Sequence, residues 1–386
     1  MIYVPSSGPR PARYMLVGEA PGGDEELKGL PFVGQAGKML DYLLGAAGIS
    51  RNECFITNVA HFRPPANKIE LWLTDKKAKA ERQGLNLQTN GLYHNEYVRD
   101  GVQELLADIE TVQPEVIVAF GNTPLWALTG QTGITKWAGS ELWYGDRIRL
   151  IPTLHPASLG IGRNPAGKPL VVHDLKNRVA AKMENPEDGR EPHWRFDIGT
   201  RLDNIIRVLR TLKKNLDSFR HPLSVDVETK HGRLDCAGIA WSRRDAICVP
   251  FIDTSNHRVF TEDEEREVVS YLKPVLTHPN AIIIGQNFNY DAQFFINDPS
   301  FGFRVICAHD TKVAQHTMFP GTDKDLVTLS RTYCDWHCYW KDDLKDSAKS
   351  LDDIKRWRYN ARDCCVTYEV YEKQLPVLQR LGFIRV

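Results

Sequence analysis

In the first half of this chain, short apolar runs alternate with stretches of helical periodicity; in the second, strand patterns cluster before the helical ones return. Tyr14–Gly18, Cys54–Val59, Glu115–Phe120 and Arg147–Thr153 are brief runs dominated by Val, Ile, Leu and Phe, the signature of strands buried on both faces. Between them, Lys38–Leu44, Tyr97–Glu110 and Thr123–Leu128 read as helices. Strand–helix alternation predicts a parallel sheet covered on both sides, and such sheets bind ligands beyond the carboxyl ends of their strands. Glu19, Asn58, Gly121-Asn122 and His155 all fall at or just after a strand end, so four loops deliver polar groups to one edge.

A polar Pro/Gly run, Asn185–Pro192, then separates the halves, which predicts domains at 1–182 and 201–386 joined by a linker at 183–200. Leu202, Ile205, Ile206, Leu209, Leu212 and Leu216 recur at helical spacing. In the next segment Leu223, Val225 and Val227 alternate with Ser224, Asp226 and Glu228, the period-two pattern of a strand with one buried face. Its two carboxylates leave the same face and can converge on one cation; the competing reading is a solvated strand face. Cys236–Trp241 and Ala246–Phe251 continue a meander, and Ala281–Ile284 is a buried strand broken at Gly285. Asn287 and Asp291 stand four apart at the start of an expected helix, and Tyr359 and Asp363 four apart in a long helix expected over Ser350–Leu375.

Composition narrows the classes. The 386 residues, 42% of them hydrophobic, suffice for two cores. Lys+Arg and Asp+Glu both number 49, so any nucleic-acid contact must come from local basic patches. No run of apolar residues is long enough for a membrane span and none resembles a signal peptide. Seven of the eight cysteines lie at or beyond Cys236 and none forms a C-x-x-C pair, which points to a reducing compartment. Cys334, His337 and Cys338 lack a second ligand pair and read as ordinary side chains rather than a zinc site.

Four blocks of the first half carry a resemblance: Gly18-Glu19-Ala20-Pro21-Gly22; Gly29-Leu30-Pro31-Phe32-Val33-Gly34; Ile56-Thr57-Asn58-Val59 with Arg63-Pro64-Pro65-Ala66-Asn67; and His155-Pro156-Ala157. In that order they resemble the uracil-DNA glycosylase superfamily, its family 4 branch above all. The resemblance implies that Phe32 stacks on a flipped uracil, Asn58 hydrogen-bonds its pairing edge, and His155 donates to its O2. Glu19 and its loop would face the sugar and the attacking water. A base must leave the duplex to be read, and the charge left on cleaved uracil needs a donor in a dry pocket. Two departures stand out. Family 4 carries an iron–sulfur cluster on four cysteines, whereas here the leader has none and His61-Phe62 replaces the family's Lys-Cys, so no iron–sulfur cluster is expected. Lys68–Tyr93 is a polar insertion, read as a solvated loop or a DNA contact. With Ala20 where some branches keep an Asp, the general base is left open.

The second half resembles the 3′–5′ exonuclease domain of family A DNA polymerases, in the DEDD group with tyrosine in its third motif. Asp226/Glu228, Asn287/Asp291 and Tyr359/Asp363 carry the likeness, with further agreement at His309-Asp310-Thr311 and Lys324–Ser330. It implies an RNase H-like mixed sheet flanked by helices, and hence an α/β chain of two domains, the first a three-layer α/β/α with a parallel sheet. It further implies that Asp226 bridges two divalent ions, Mg²⁺ or Mn²⁺, with Glu228 and Asp363 completing the first site. Asp291 would hold the second through water, Asn287 would contact substrate and Tyr359 would orient the attacking water. Hard oxygen ligands suit such ions, and a pair of them serves phosphodiester hydrolysis.

The expectation is therefore a DNA-processing enzyme acting on single-stranded 3′ ends and reading uracil-containing DNA, by excision or by sensing. Its setting would be cytoplasmic, in a bacterial host if the chain is phage-encoded. No polymerase palm follows Val386, so a separately encoded polymerase is the expected partner. The alternatives are a replisome clamp with a silent glycosylase-like domain and a free-standing repair nuclease.

Overall fold

The computed structural model describes residues 1–160 and 162–384, apart from the side chains of Pro186 and Ala348. The expected domain end at 386 lies outside the described residues. The chain forms two compact units, Met1–Arg190 with Trp336–Cys338, and Glu191–Asp335 with Tyr339–Val386. Among the described residues no helix is long and apolar enough to cross a membrane.

In the first unit the strands are Tyr14–Gly18 (β1), Cys54–Asn58 (β2), Leu73–Thr74 (β3), Leu87–Thr89 (β4), Leu92–His94 (β5), Val116–Phe120 (β6), Leu142–Tyr144 (β7) and Ile148–Thr153 (β8). The main sheet runs β2-β1-β6-β8-β7, parallel except for β7, an antiparallel edge strand that the apolar runs did not reveal. Both faces are covered. Leu16, Ile56, Val118 and Ile151 pack with Leu40, Leu43 and Leu44 of the helix Gln35–Ala47. On the opposite side Met15, Val17, Phe55 and Ile117 meet Leu105, Ile109 and Val112 of the helix Glu96–Val112. Each such aliphatic burial contributes about 2 kcal/mol, which is why these strands are apolar on both faces along most of their length. The insertion at 68–93 is no solvated loop: it folds as a small antiparallel sheet, β3-β5-β4, with the helix Lys77–Gln83, anchored by buried Ile69 and Trp72 against Trp126.

The second unit holds Arg195–Ile198 (β9), His221–Lys230 (β10), Arg233–Ala240 (β11), Asp245–Pro250 (β12), Ala281–Gly285 (β13) and His309–Asp310 (β14), in the order β14-β13-β10-β11-β12-β9. The β10–β11–β12 meander is antiparallel, and β13, β14 and β9 add parallel to their neighbours. Strand β9 corrects the expected linker: Phe196 and Ile198 pack on the core while the strand pairs with β12. At four residues it is too short for periodicity to separate it from the polar run before it. The odd positions Leu223, Val225 and Val227 of β10 face the helices Leu202–Ser218 and Glu262–Leu276. Its even positions face the helix Asp353–Arg380, whose Trp357, Ala361, Cys364 and Cys365 cover the other side of the sheet. The helix expected over Ser350–Leu375 runs from Asp353 to Arg380, and a separate short helix, Asp342–Ser350, precedes it. Asp342–Ser350 ends at Leu351 with φ of 53°, and the Asp352 side chain accepts from Lys355 N to start the next.

Candidate functional site

The first unit brings its singled-out side chains together at strand ends, and the second brings three of its carboxylates together between a strand and the helix that crosses it. In the first, Gly18 closes β1, and a Cβ there would lie 2.3 Å from Asn58 Oδ1 and 2.6 Å from the Phe32 ring. Bare backbone therefore lets Asn58, at the end of β2, and Phe32 close over the β1 terminus, both nearly fully buried. Phe32 adopts φ of 53°, and Arg51 pins that turn by donating to its carbonyl at 3.0 Å. Its ring stacks on His155, with centroids 5.7 Å apart.

His155 follows β8. Its Nδ1 accepts the Ala157 backbone N–H at 3.1 Å, which leaves the proton on Nε2. Desolvation lowers its pKa to about 4, partly opposed by Glu25 and reinforced by Arg163, so the ring is a neutral donor near pH 7. Glu19 accepts from Thr123 Oγ1 at 2.6 Å, and burial raises its pKa. Nothing in the local sequence pattern marks Glu25, one of three acids in a first helical turn. Its carboxylate accepts from the N–H groups of Gly22, Val33 and Gly34 at 2.9–3.1 Å and clips the Gly18–Gly22 loop to the Phe32 loop. A cleft of about 550 Å³, lined by Gly22, Glu25, Gly34, Arg63, Pro156 and Arg163, opens there.

The iron–sulfur group typical of family 4 does not fit. Such clusters need four ligands, usually thiolates. Cys54 is the only cysteine in residues 1–190, and it is buried within β2 with its Sγ toward Ser50 O. Where the family's Lys-Cys would stand, His61 bonds Val4 O through Nδ1 at 2.9 Å and stacks on Tyr3.

In the second unit, Asp226, Glu228 and Asp363 bring one ligand oxygen each to within 4.8 Å of one another. The first two come from β10; Asp363 comes from the helix crossing it, one turn beyond Tyr359. Asp226 pairs in register with Gly238, where a Cβ would lie 2.4 Å from Asn360 Oδ1 and 2.5 Å from Cys364 Sγ. The missing side chain lets the helix approach until Asn360 donates to Asp226 Oδ2 at 2.9 Å. The strand register shifts between Glu228 and Thr229, a bulge that re-aims the chain beside the site. Asp291 lies outside the trio, its Oδ1 accepting from Val227 N at 2.9 Å, although its charge acts on Asp226.

Asn287 does not share a helical face with Asp291. The helix begins at Asn289, and Asn287 sits before it with φ of 60° while its side chain accepts from Lys312 Nζ. The cause is Asp310, whose carboxylate takes the N–H groups of Asn287 and Phe288 and so holds the turn out of the helix.

Desolvation pushes Asp226 well above the usual carboxylate range, with Asp291, Asp363 and Glu228 adding to it. Glu228 is pushed up to about 7 by desolvation and then Asp363, and Asp291 to about 7 chiefly by desolvation. Oxygen donors this crowded suit a hard divalent cation, so the residues fit the metal that the family implies. Tyr359 is raised by burial and by the same carboxylates, so its hydroxyl stays protonated. Trp340 and Lys341 complete the site unforeseen: Trp340 Nε1 donates to Asp363 Oδ1, and Lys341 Nζ to Asp363 Oδ2, each at 2.5 Å.

A protein-family model described as the uracil DNA glycosylase superfamily matches residues 5–176, and one described as a 3′–5′ exonuclease matches residues 196–379. The type-4 uracil-DNA glycosylase of Thermotoga maritima is 35% identical over 167 residues, covering 42% of this chain and 74% of that protein. A DNA polymerase of Bacillus phage SP01 is 22% identical over 418 residues, covering 96% of this chain and 41% of the polymerase. The RRP6 catalytic core from Trypanosoma brucei aligns at 14% identity and a TM-score of 0.38 over 49% of this chain and 48% of that one. The chain thus belongs, through its first half, to the uracil-DNA glycosylase superfamily, and it carries in its second half a 3′–5′ exonuclease domain of the family A polymerase type.

Proposed function

We propose that the second unit removes nucleotides from single-stranded 3′ ends by metal-dependent hydrolysis, and that the first excises uracil from DNA, the two together proofreading for a DNA polymerase carried on a separate chain. The observation that carries this reading is the convergence of Asp226, Glu228 and Asp363 within 4.8 Å beside Tyr359. Asp226, Glu228 and Asp363 would hold the first of two divalent ions, with Asp291 supporting the second. Bound there, such ions supply positive charge to both the incoming and the leaving oxygen of the phosphodiester. The protein's own part is positional. Asn360 fixes Asp226, the Val227 N–H fixes Asp291, and Tyr359 offers a neutral hydroxyl to orient water. Exposed Arg358 and half-buried Lys355, on the same helix, suit the phosphates of an incoming strand.

For the first unit, a base flipped against Phe32 would meet the Asn58 amide, and His155 Nε2–H would donate to the oxygen on which charge develops. A neutral donor suits that task, because it supplies the hydrogen bond without the cost of holding an imidazolium in a desolvated pocket. The similarity of nearly the whole chain to a phage DNA polymerase supports the replication setting.

The test uses 5′-labelled single strands with Mg²⁺ or Mn²⁺. Asp226→Ala and Asp363→Ala each abolish stepwise shortening, and full activity in either removes the nuclease assignment. On uracil-containing strands the wild type leaves abasic sites and Asn58→Ala does not. Absence of abasic product from the wild type would make the first unit a binding module, and a polymerase that fails to co-purify would count against proofreading.

A further inference from the structure

Lys341 stands in the nuclease site, although no sequence motif places it there. Its ammonium lies 2.5 Å from Asp363 Oδ2 and donates to Tyr359 Oη at 2.9 Å. It also lies over the rings of Tyr359 and Trp340, at 4.9 and 5.2 Å from their centroids. Asp363 is only 4% exposed, and Trp340 occupies its other oxygen. Both oxygens of this carboxylate are thus taken, one of them by a cation. The ligand atoms of Asp226 and Glu228 lie within 4.8 Å of Asp363's, so the ammonium sits beside three carboxylates.

A surface ion pair would not look like this. Exposed pairs hold two mobile side chains in water and contribute little. Here one partner is buried, and leaving it without a cation would strand a charge away from water. The group supplied is a compact ammonium, a point charge with donors that turn to suit any oxygen, in contrast to the flat fork of arginine. The stem is long and Lys341 stands just ahead of the helix Asp342–Ser350 without capping it through its side chain, so the head group can give up Asp363 and keep Tyr359 without disturbing that helix.

We infer that Lys341 is a further positioning residue of this site: a resident cation that neutralises Asp363 until a divalent ion displaces it, and that holds the Tyr359 hydroxyl in place. The inference rests on the metal-site reading above. Two consequences follow from the contacts. Metal binding must compete with Lys341 for Asp363 Oδ2, so the lysine weakens metal affinity and stabilises the metal-free protein. Because the ammonium donates to Tyr359 Oη, Lys341 and Tyr359 act on hydrolysis as one unit.

The experiment titrates Mn²⁺ alone into the full chain by calorimetry, for wild type, Lys341→Met and Lys341→Gln. Both variants bind Mn²⁺ at least tenfold more tightly than wild type and melt at lower temperature in EDTA, whereas Lys341→Arg, which keeps the charge but not the compact head group, shows smaller changes in both. A merely structural lysine predicts the reverse, weaker metal binding along with the lower melting temperature. At saturating metal, Lys341→Met lowers kcat more than it changes KM, and the double variant Lys341→Met/Tyr359→Phe is no slower than the slower single. Unchanged or weakened Mn²⁺ affinity in both neutral variants, or rate losses that multiply in the double, would overturn the inference. Asp226→Ala separates the two levels. If it keeps wild-type metal binding and hydrolysis, the site reading itself fails. If it loses both while Lys341→Met matches wild type, only the role of Lys341 does.

Discussion

The proton on His155 is the most direct test of the first unit. Its ordinary pKa of 6.5 falls to about 4, because a desolvated ring stacked on Phe32 loses the hydration that an imidazolium needs. Glu25 pulls the other way but does not win, and Arg163 adds to the depression. The fall from 6.5 to about 4 corresponds to at most about 3–4 kcal/mol, at roughly 1.4 kcal/mol per tenfold change in proton affinity. The sign follows from proton counting. Below pH 6.5 an unfolded chain binds a proton that the folded one refuses, so stability present above pH 6.5 is lost as pH falls through about 4. His155→Asn removes this one contribution, so between pH 6.5 and 4 the wild type loses up to about 3 kcal/mol more than the variant. The assay follows the His155 ring proton by NMR across pH 3.5–8, with urea unfolding of both proteins at each end. Uracil excision should also show no step near pH 6.5. A ring that titrates at 6.5 or above, or a matching step in excision, would refute the neutral-donor argument.

Three further outcomes follow. Gly18→Ala places a methyl group 2.3 Å from Asn58 Oδ1 and 2.6 Å from the Phe32 ring; overpacking of this kind costs about 1–3 kcal/mol. Uracil excision should fall at least roughly a hundredfold, the order of loss expected from a misplacement of about 1 Å, with 3′–5′ hydrolysis unchanged in the same preparation. Tyr359→Phe keeps the ring packing but deletes the hydroxyl that Lys341 holds. Hydrolysis should slow by roughly ten- to a hundredfold while single-strand binding, read by fluorescence anisotropy, stays near wild type. EDTA should stop shortening of 3′ ends and leave uracil excision intact, as gel assays of the two products on one oligonucleotide would report.

Much of the first unit was legible because its strands are buried on both faces, which writes them as continuous apolar runs, and because polar residues such as Asn58 and His155 sit where those runs stop. What escaped there depended on contacts distant in sequence. Glu25 looks like one acid among three in a first helical turn, yet it is the clip between two loops. β7 is three half-buried residues at a sheet edge, with no period to detect. The insertion read as polar because its buried anchors, Ile69 and Trp72, are few and far apart.

The second unit separates the two kinds of information more sharply. Period two placed Asp226 and Glu228 on one face, and period 3.6 placed Tyr359 and Asp363 on another, because each pair shares a single element. The same reasoning failed for Asn287 and Asp291, since a spacing of four implies a shared face only inside a helix. Asp310, whose carboxylate takes the Asn287 and Phe288 N–H groups, keeps Asn287 out of one. Asn360 was within reach: it stands three residues before Asp363 on the face that meets Gly238, and a glycine opposite Asp226 is the signal that something must approach closely there. Lys341 was not, because the loop that carries it has no period and its partner is 22 residues away. The Asp226/Glu228 and Tyr359/Asp363 pairs are the part of this cluster that local pattern can encode. The cation that pairs with Asp363 comes from a segment whose position is set by packing, so a search of the sequence for acidic pairs finds the carboxylates and misses the lysine beside them.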